Sequence, residues 1–441
     1  MDNSMERILV EQLKKHIGKT VKIAGWVHVI RDQGSIVFLM MRDISGLIQC
    51  VVVKETEAIK TAKSLSSESV IEVIGLVKEE KQAPDGIEIA VQTVNILSLA
   101  DPELPIKILE KGEEGETGLQ KRLDWRWLDL RKPEHRLIFQ VWTEMEHAFR
   151  SYCVANGYIE IHSPKLMSTP SESGAELFEV KYFERKAYLA QSPQFYKQMG
   201  MASGFEKVFE IGPVFRANPS FTSRHDTEFT GYDIEISFIE SHEDVMAEEE
   251  RFVVDMVKAV KEKYGEKIKS AFGRDIVIPS IPFPKVTLAE AKRILKKLNV
   301  PSESDGDLNP EEERQLSGSI KEKTGHEFVF VTDYPKEFRA FYHMRHADDP
   351  TITKGFDLLF DGLEITTGAQ REHRYDVLIE QAKEKGLKLD SIKFYLDFFK
   401  YGCPPHGGLG FGPTRFLMKM LGLGNVREVT YLYRGVKRLE P

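Results

Sequence analysis

The chain has 441 residues, of which 41% are apolar and 29% charged, and its formal net charge is -8. That length suits two or three globular domains with a large core, and the acidic balance excludes a nonspecific nucleic-acid binder, so any nucleic acid must be met by local patches. No run approaches the ~18 apolar residues of a membrane span, and the opening stretch MDNSMERILVEQLKKHIG has no apolar signal-type core.

Three cysteines, Cys50, Cys153 and Cys403, are widely spaced and form no CxxC or Cys/His pattern, which argues against disulfides and structural zinc. A cytoplasmic protein is expected.

In chain order, residues 20–100 carry five short β-type runs, VKIAGWVHVI, SIVFLMMRD, LIQCVVV, VIEVIGLVK and IEIAVQTVNILS, with a helical stretch, EAIKTAKSLS, after the third. This predicts a small Greek-key barrel of the OB type, whose sheet face commonly binds single-stranded nucleic acid. Arg31, Phe38, Gln49 and Glu88 would supply a cation, a stacking ring and two base-edge groups on that face. A barrel with a solvated, purely structural face is an equal alternative at this point.

Residues 101–120, DPELPIKILEKGEEGETGLQ, combine prolines, glycines and acidic residues, the composition of a linker. A barrel over 1–100, a hinge over 101–130 and a second domain over 131–441 follow. Apolar residues at helical spacing over 136–155 predict a helix closed by Asn156-Gly157, and Tyr158-Ile159-Glu160-Ile161 predicts a strand ending before Pro164.

Residues 208–240, VFEIGPVFRANPSFTSRHDTEFTGYDIEISFIE, predict a long hairpin in which Tyr232, Ile234, Ile236 and Phe238 alternate with Asp233, Glu235 and Ser237. Its tip holds Arg216, Arg224 and His225. Guanidinium groups suit a polyphosphate, and an ordinary solvated loop is the competing reading. An amphipathic helix is expected over 242–263, and an irregular insertion over 284–350. Then come the strand FVFVTDYP, a strand pair running into a helix (GFDLLFDGLEITTGAQREHRYDVL), and a Gly-rich turn before an apolar helix (YGCPPHGGLGFGPTRFLMKMLG). The pattern is α+β.

GYIEIHSPKL, FRANPSFTSRHDTEF and GLGFGPTR, in this order behind an OB-type segment, resemble the three motifs of class II aminoacyl-tRNA synthetases. QSPQFYKQ resembles the aspartyl-tRNA synthetases of archaeal type among them. The resemblance spans essentially the whole chain. It implies an OB-fold anticodon-binding domain, a class II catalytic domain built on an antiparallel sheet flanked by helices, and a homodimer formed through the first motif up to Pro164. Charging of asparagine or lysine, and a catalytically silent RNA-binding paralogue, are the competing readings.

The reaction implied is attack of the aspartate carboxylate on the α-phosphate of ATP. Its barrier is mostly charge, so positioned cations matter most. By resemblance, Arg216 bridges the carboxylate and the α-phosphate, and Arg415 holds the γ-phosphate. Phe229 stacks on adenine, with Arg224, His225 and Asp226 around the triphosphate. Gly407, Gly408, Gly410 and Gly412 let the backbone approach the nucleotide. Glu364 and Asp357, with Thr367, are implied Mg²⁺ ligands, a turn at Asp361-Gly362 placing the two acids on separate strands. Lys197 and Arg371 are implied partners of the aspartate side chain, with Glu172, Gln194 and Thr367 at its α-amino end. The loop 168–175 is expected to close over the substrate.

On the barrel, Phe38 is implied to stack on the central anticodon base, with Gln49 and Glu88 bonding its edge and Arg31 beside them. His28 and Pro84 stand where enzymes that charge only tRNA(Asp) tend to hold Trp and Lys. They resemble the non-discriminating subgroup, which also places aspartate on tRNA(Asn) for a downstream amidotransferase. Two departures stand out: Thr414 replaces the acidic residue before the third-motif arginine, and YLYRGVKRLEP replaces a Phe-Pro-Arg run. Cys403 is expected to be structural, since spacing offers it no activating base.

Overall fold

The computed structural model describes residues 5–108, 117–169, 176–220 and 222–440. The chain divides into two compact units, Met1–Thr117 and Gly118–Pro441.

In the first unit, β1 (Thr20–Asp32), β2 (Ile36–Arg42), β3 (Leu47–Val53), β4 (Val70–Glu79) and β5 (Ile87–Ser98) close a barrel in the order β1-β2-β3-β5-β4. The short helix α1 (Ala58–Lys63) lies between β3 and β4. Alternation builds it: Val21, Ile23, Val37, Leu39, Ile48, Cys50, Ile71 and Val73 are buried, and the residues between them face outward, as a pleated strand requires. This is the five-stranded barrel expected over residues 20–100.

The second unit begins with α2 (Leu119–Asp124) and α3 (Arg126–Asp129). The buried Arg126 guanidinium bonds Asp129 at 2.7 Å and the carbonyls of Glu428 and Thr430 at 2.8 and 2.9 Å. The hinge expected over 101–130 is therefore shorter, because residues from 118 on are packed into the second unit. In α4 (Pro133–Ala155), Leu137, Val141, Met145 and Phe149 form a buried stripe, and Gly157 ends it with φ of 78°.

Next are β6 (Ile159–Glu160), β7 (Leu166–Met167), β8 (Glu179–Tyr182), β9 (Arg185–Leu189), α5 (Gln194–Ala202), β10 (Lys207–Phe215), β11 (Glu228–Ser237) and α6 (His242–Phe272). The last runs past its expected end at 263, until left-handed Gly273 stops it. The chain continues through β12 (Lys285–Thr287), α7 (Leu288–Lys297), α8 (Pro310–Thr324), β13 (Phe328–Thr332), β14 (Gly355–Phe360), β15 (Leu363–Arg371), α9 (Tyr375–Glu384), α10 (Lys393–Lys400), β16 (His406–Phe411), α11 (Pro413–Met420) and α12 (Val426–Val429).

Eight strands form one sheet, β12-β13-β14-β15-β16-β11-β10-β6, antiparallel except at β12–β13 and β10–β6. Residues of α4 and α6 share one apolar core with one face of this sheet. Two expectations are corrected. Residues 284–350 are not an insertion outside the fold, because β12 and β13 extend the main sheet. The glycine-rich stretch is the central strand β16 rather than a turn. Its Gly408 has no room for a side chain: a Cβ there would lie 2.2 Å from both Glu235 Oε2 and Ile234 O, and one at Gly407 would lie 2.8 Å from Ile239 and Val245.

Candidate functional site

The strand alternation of β11 sets the site. Tyr232, Ile234 and Ile236 enter the core beside α4 and α6, which sends Asp233 and Glu235 to the opposite face. There the sheet floors a cleft of about 380 Å³, walled by α5, β10, β11, β15, β16 and the 338–343 segment.

One end of the cleft is cationic and aromatic. The Arg216 guanidinium lies 5.6 Å from the centroid of the Phe229 ring. Arg415, near the start of α11, donates to Glu364 O at 3.0 Å and contacts its carboxylate at 3.4 Å. Arg224 pairs with Glu313 at 2.9 Å. His225 sits among these arginines, and burial together with Arg415, Arg224 and Arg216 lowers its pKa to about 4, so it is a neutral ring at physiological pH. Burial raises Asp226 to about 7 and Glu313 to about 7. This is a surface prepared for negative charge, since three arginines converge where two of the nearby acids, Asp226 and Glu313, are partly protonated near neutral pH.

The other end is a buried ion cluster. Lys197 Nζ donates to Asp233 Oδ1 at 2.9 Å and Leu409 O at 2.8 Å, with Glu235 Oε2 at 3.5 Å. Arg371 Nε donates to Glu235 Oε1 at 3.0 Å. Burial alone would raise the Glu235 pKa, but Arg371 and Lys197 hold it below the ordinary value, so the acid stays ionised. Gln194 donates to Gln198 at 2.9 Å, with Thr367 also on the cleft wall.

The structure thus brings Gln194, Lys197, Arg216, Arg224, His225, Asp226, Phe229, Glu364, Thr367, Arg371, Gly412 and Arg415 to one cleft. Glu172 and most of the 168–175 loop lie outside the described residues. The turn at Asp361-Gly362 joins β14 to β15, with φ of 46° and 80°, yet Asp357 does not reach the cleft lining. It stands opposite Thr367 across β14–β15 and close enough to Glu364 to feel its charge, but it is buried and ion-paired with Arg339 at 2.5 Å.

Gly407 and Gly408 serve packing rather than nucleotide approach, while Gly410 and Gly412 do line the cleft. His406 Nδ1 lies 3.7 Å from the Cys403 sulfur, a neighbour that spacing did not reveal. That nitrogen sits 2.8 Å from Pro404 O, and burial pushes the thiol up to about 12, so Cys403 remains inert.

Sequence reasoning missed Asp233, Glu235, Glu313, Arg339 and His343. The first two look like the wet side of an alternating strand. Glu313, Arg339 and His343 lie in the stretch taken as an insertion, where no local pattern marked them.

On the barrel, strand register sets two neighbouring rows on the outer face. Arg31 pairs with Phe38, and Met40 pairs with Gln49, which pairs in turn with Glu88. Gln49 Nε2 donates to Glu88 Oε2 at 3.1 Å. His28 sits at a bulge in β1, its Nδ1 2.9 Å from Arg42 Nη1, and Arg42 forms a buried 2.8 Å ion pair with Glu68. Pro84 is exposed in the turn before β5.

A half-buried ring, a cation and a pair of amide and carboxylate groups in adjacent rows can stack on and hydrogen-bond unpaired bases. Among the described residues no helix is long and apolar enough to cross a membrane.

Comparison with known proteins follows the same division. Residues 118–434 match the family described as tRNA synthetases class II (D, K and N), and residues 21–97 match the OB-fold nucleic acid binding domain. The chain is 44% identical over 427 residues to an aspartate–tRNA(Asp/Asn) ligase of Methanopyrus kandleri, covering 96% of each. It is 42% identical over 427 residues to an aspartate–tRNA(Asp) ligase of Pyrococcus abyssi, covering 96% of this chain and 97% of that protein. Its fold is similar to the Pyrococcus horikoshii asparaginyl-tRNA synthetase complexed with asparaginyl-adenylate, with a TM-score of 0.91, 34% identity and coverage of 99% and 100%.

Proposed function

Because this chain belongs to the class II tRNA synthetases of the D, K and N group, we propose that it activates L-aspartate with ATP and transfers it to tRNA(Asp) and also to tRNA(Asn). The observation that carries the amino-acid choice is the pair Lys197 and Arg371 on the cleft floor. The two cations stand where a side-chain carboxylate is to be neutralised. An amide in its place would leave guanidinium N–H groups poorly matched, at about 2 to 4 kcal/mol.

Activation joins the aspartate α-carboxylate oxygen to the α-phosphorus of ATP and breaks the bond to pyrophosphate. Aspartyl-adenylate and pyrophosphate are the products. A ribose hydroxyl of the tRNA terminus then attacks the adenylate carbonyl and releases AMP. Arg216 neutralises the charge that builds between carboxylate and α-phosphate, and Arg415 holds the far end of the triphosphate. Phe229 supplies a face for adenine.

Glu364 and Thr367 suit Mg²⁺. Their side-chain oxygens stand 3.4 Å apart on the cleft wall, and Mg²⁺ favours one or two carboxylates completed by phosphate and water. When bound, it would neutralise phosphate charge. Asp357 contributes through Arg339 instead. His28 and Pro84 on the barrel support acceptance of both tRNAs, and the product on tRNA(Asn) would call for a downstream amidotransferase. A homodimer through α4 and the segment up to Pro164, and a cytoplasmic location, complete the reading.

Amino-acid-dependent exchange of pyrophosphate into ATP tests activation. Exchange with aspartate and not asparagine or lysine is expected, and no exchange with aspartate rejects the proposal. Charging purified tRNA(Asp) and tRNA(Asn) side by side tests the second half, and charging of tRNA(Asp) alone would limit the enzyme to one tRNA.

A further inference from the structure

Arg371 has three partners. Nε donates to Glu235 Oε1 at 3.0 Å, Nη2 to Gly408 O at 2.9 Å and Nη1 to His343 Nε2 at 3.3 Å. A guanidinium has five N–H groups. Among the described residues, one N–H on each terminal nitrogen is therefore left over, and two N–H groups on one edge are what a carboxylate takes bidentately.

This orientation has a competitor inside the protein. Glu235 Oε2 is buried, has no hydrogen-bond partner, and is only 3.5 Å from Lys197 Nζ. A guanidinium left to itself would turn both N–H groups of one edge, Nε–H and its neighbour on a terminal nitrogen, onto the two oxygens of Glu235, the usual two-bond arginine–carboxylate geometry. Gly408 O and His343 draw the terminal nitrogens elsewhere.

His343 is built for that task. Its backbone forms an isolated β-bridge with Arg371. Gln381 Nε2 fixes the segment by donating to the carbonyls of Phe341 and His343 at 2.6 and 3.1 Å. Gly355 leaves room for the ring, since a Cβ there would lie 3.2 Å from His343 Nδ1. Only a neutral imidazole protonated at Nδ1 can accept at Nε2. Burial first, then the charges of Arg371 and Arg339, keep the ring well below its ordinary pKa, which keeps it neutral. Its Nδ1 is buried with no hydrogen-bond partner among the described residues, so the Arg371 contact is what favours acceptance at Nε2.

We propose that His343 is a positioning residue for amino-acid selection: its Nε2 lone pair holds Arg371 so that the two remaining N–H groups meet the side-chain carboxylate of aspartate as a fork. The proposal rests on the reading of Arg371 as an aspartate-binding residue.

The test is pyrophosphate exchange with His343→Leu, which keeps bulk without an acceptor, with His343→Gln, which restores one, and with Arg371→Leu as control. His343→Leu is expected to raise the aspartate KM about tenfold while the ATP KM and kcat stay within about twofold. The preference for aspartate over asparagine should fall by about tenfold in the same variant. His343→Gln should recover both to within about threefold of the parent.

An unchanged aspartate KM in His343→Leu beside a raised one in Arg371→Leu overturns the positioning role. Equal failure of the Gln and Leu variants, with the ATP KM and kcat also lost, overturns it as well, since that is the mark of a packing role. An unchanged aspartate KM in Arg371→Leu overturns the aspartate-binding reading itself.

Discussion

Replacing Lys197 by Met removes one charge from the buried cluster and keeps most of the side-chain volume. Lys197 is 2% exposed, and its Nζ holds Asp233 at 2.9 Å, Leu409 O at 2.8 Å and Glu235 at 3.5 Å. Stranding a fully buried charge costs about 3 to 5 kcal/mol. Here the loss is smaller, because Glu235 keeps Arg371 at 3.0 Å and Asp233 lies on the cleft wall, where water reaches it.

About 2 to 3 kcal/mol is expected, which lowers the melting temperature of a domain this large by roughly 5 °C. Adding Asp233→Asn to Lys197→Met removes the stranded charge and should recover most of that loss, about 2 kcal/mol, without restoring aspartate activation. Urea and thermal unfolding of the parent, both single variants and the double variant measure the coupling. A single variant that loses under about 1 kcal/mol, or a double variant no more stable than Lys197→Met, would show that the cluster is hydrated and not held by charge pairing.

Arg216→Ala should lower aspartate-dependent pyrophosphate exchange by about 10²- to 10³-fold with tRNA binding intact, as removal of a charge-stabilising group does; filter binding beside exchange separates the two. Introducing His28→Trp together with Pro84→Lys should cut charging of tRNA(Asn) far more than charging of tRNA(Asp), with exchange unaltered, and parallel charging assays read the ratio. The buried acids give a pH signature. Burial raises Asp226 and Glu313 to about 7, so each favours folding fully below the ordinary carboxylate range and loses that contribution as pH rises through about 7. Asp226→Asn and Glu313→Gln should therefore melt a few degrees above the parent near about pH 8 and level with it near about pH 4. An offset that does not change with pH contradicts the shifts.

The barrel was legible because its inward residues follow a strict period of two, from Val21 and Ile23 to Val73, and turn residues separate the strands. The hairpin β10–β11 and the helix α4 were legible for the same kind of reason. What was hidden is long-range. β12 and β13 are short, and their place in the main sheet depends on pairing with β14, which no local pattern encodes. The glycines of β16 look like a flexible turn, yet Gly408 is small because Glu235 and the Ile234 carbonyl fill the space a side chain would need. A strand packed that tightly loses local β-propensity, so its sequence signal is weakest where its packing is most constrained.

The same tension explains the reading of Asp233 and Glu235. Alternation with Tyr232, Ile234 and Ile236 marks them as the polar face of a half-wet strand, the common case for an antiparallel sheet. In this fold that face is largely buried too, and each acid is paired with a cation from a different element, Asp233 with Lys197 of α5 and Glu235 with Arg371 of β15. Neither cation is free to serve a ligand unless its orientation is set against its own acid. Arg371 must be kept from closing a two-bond edge onto Glu235, and Lys197 is divided between Asp233 and a carbonyl. The acids hold the two cations in place inside the sheet, while Gly408 O and His343 keep part of Arg371 available. Selection of a carboxylate therefore depends on which partners hold the cations back, as well as on the cations themselves.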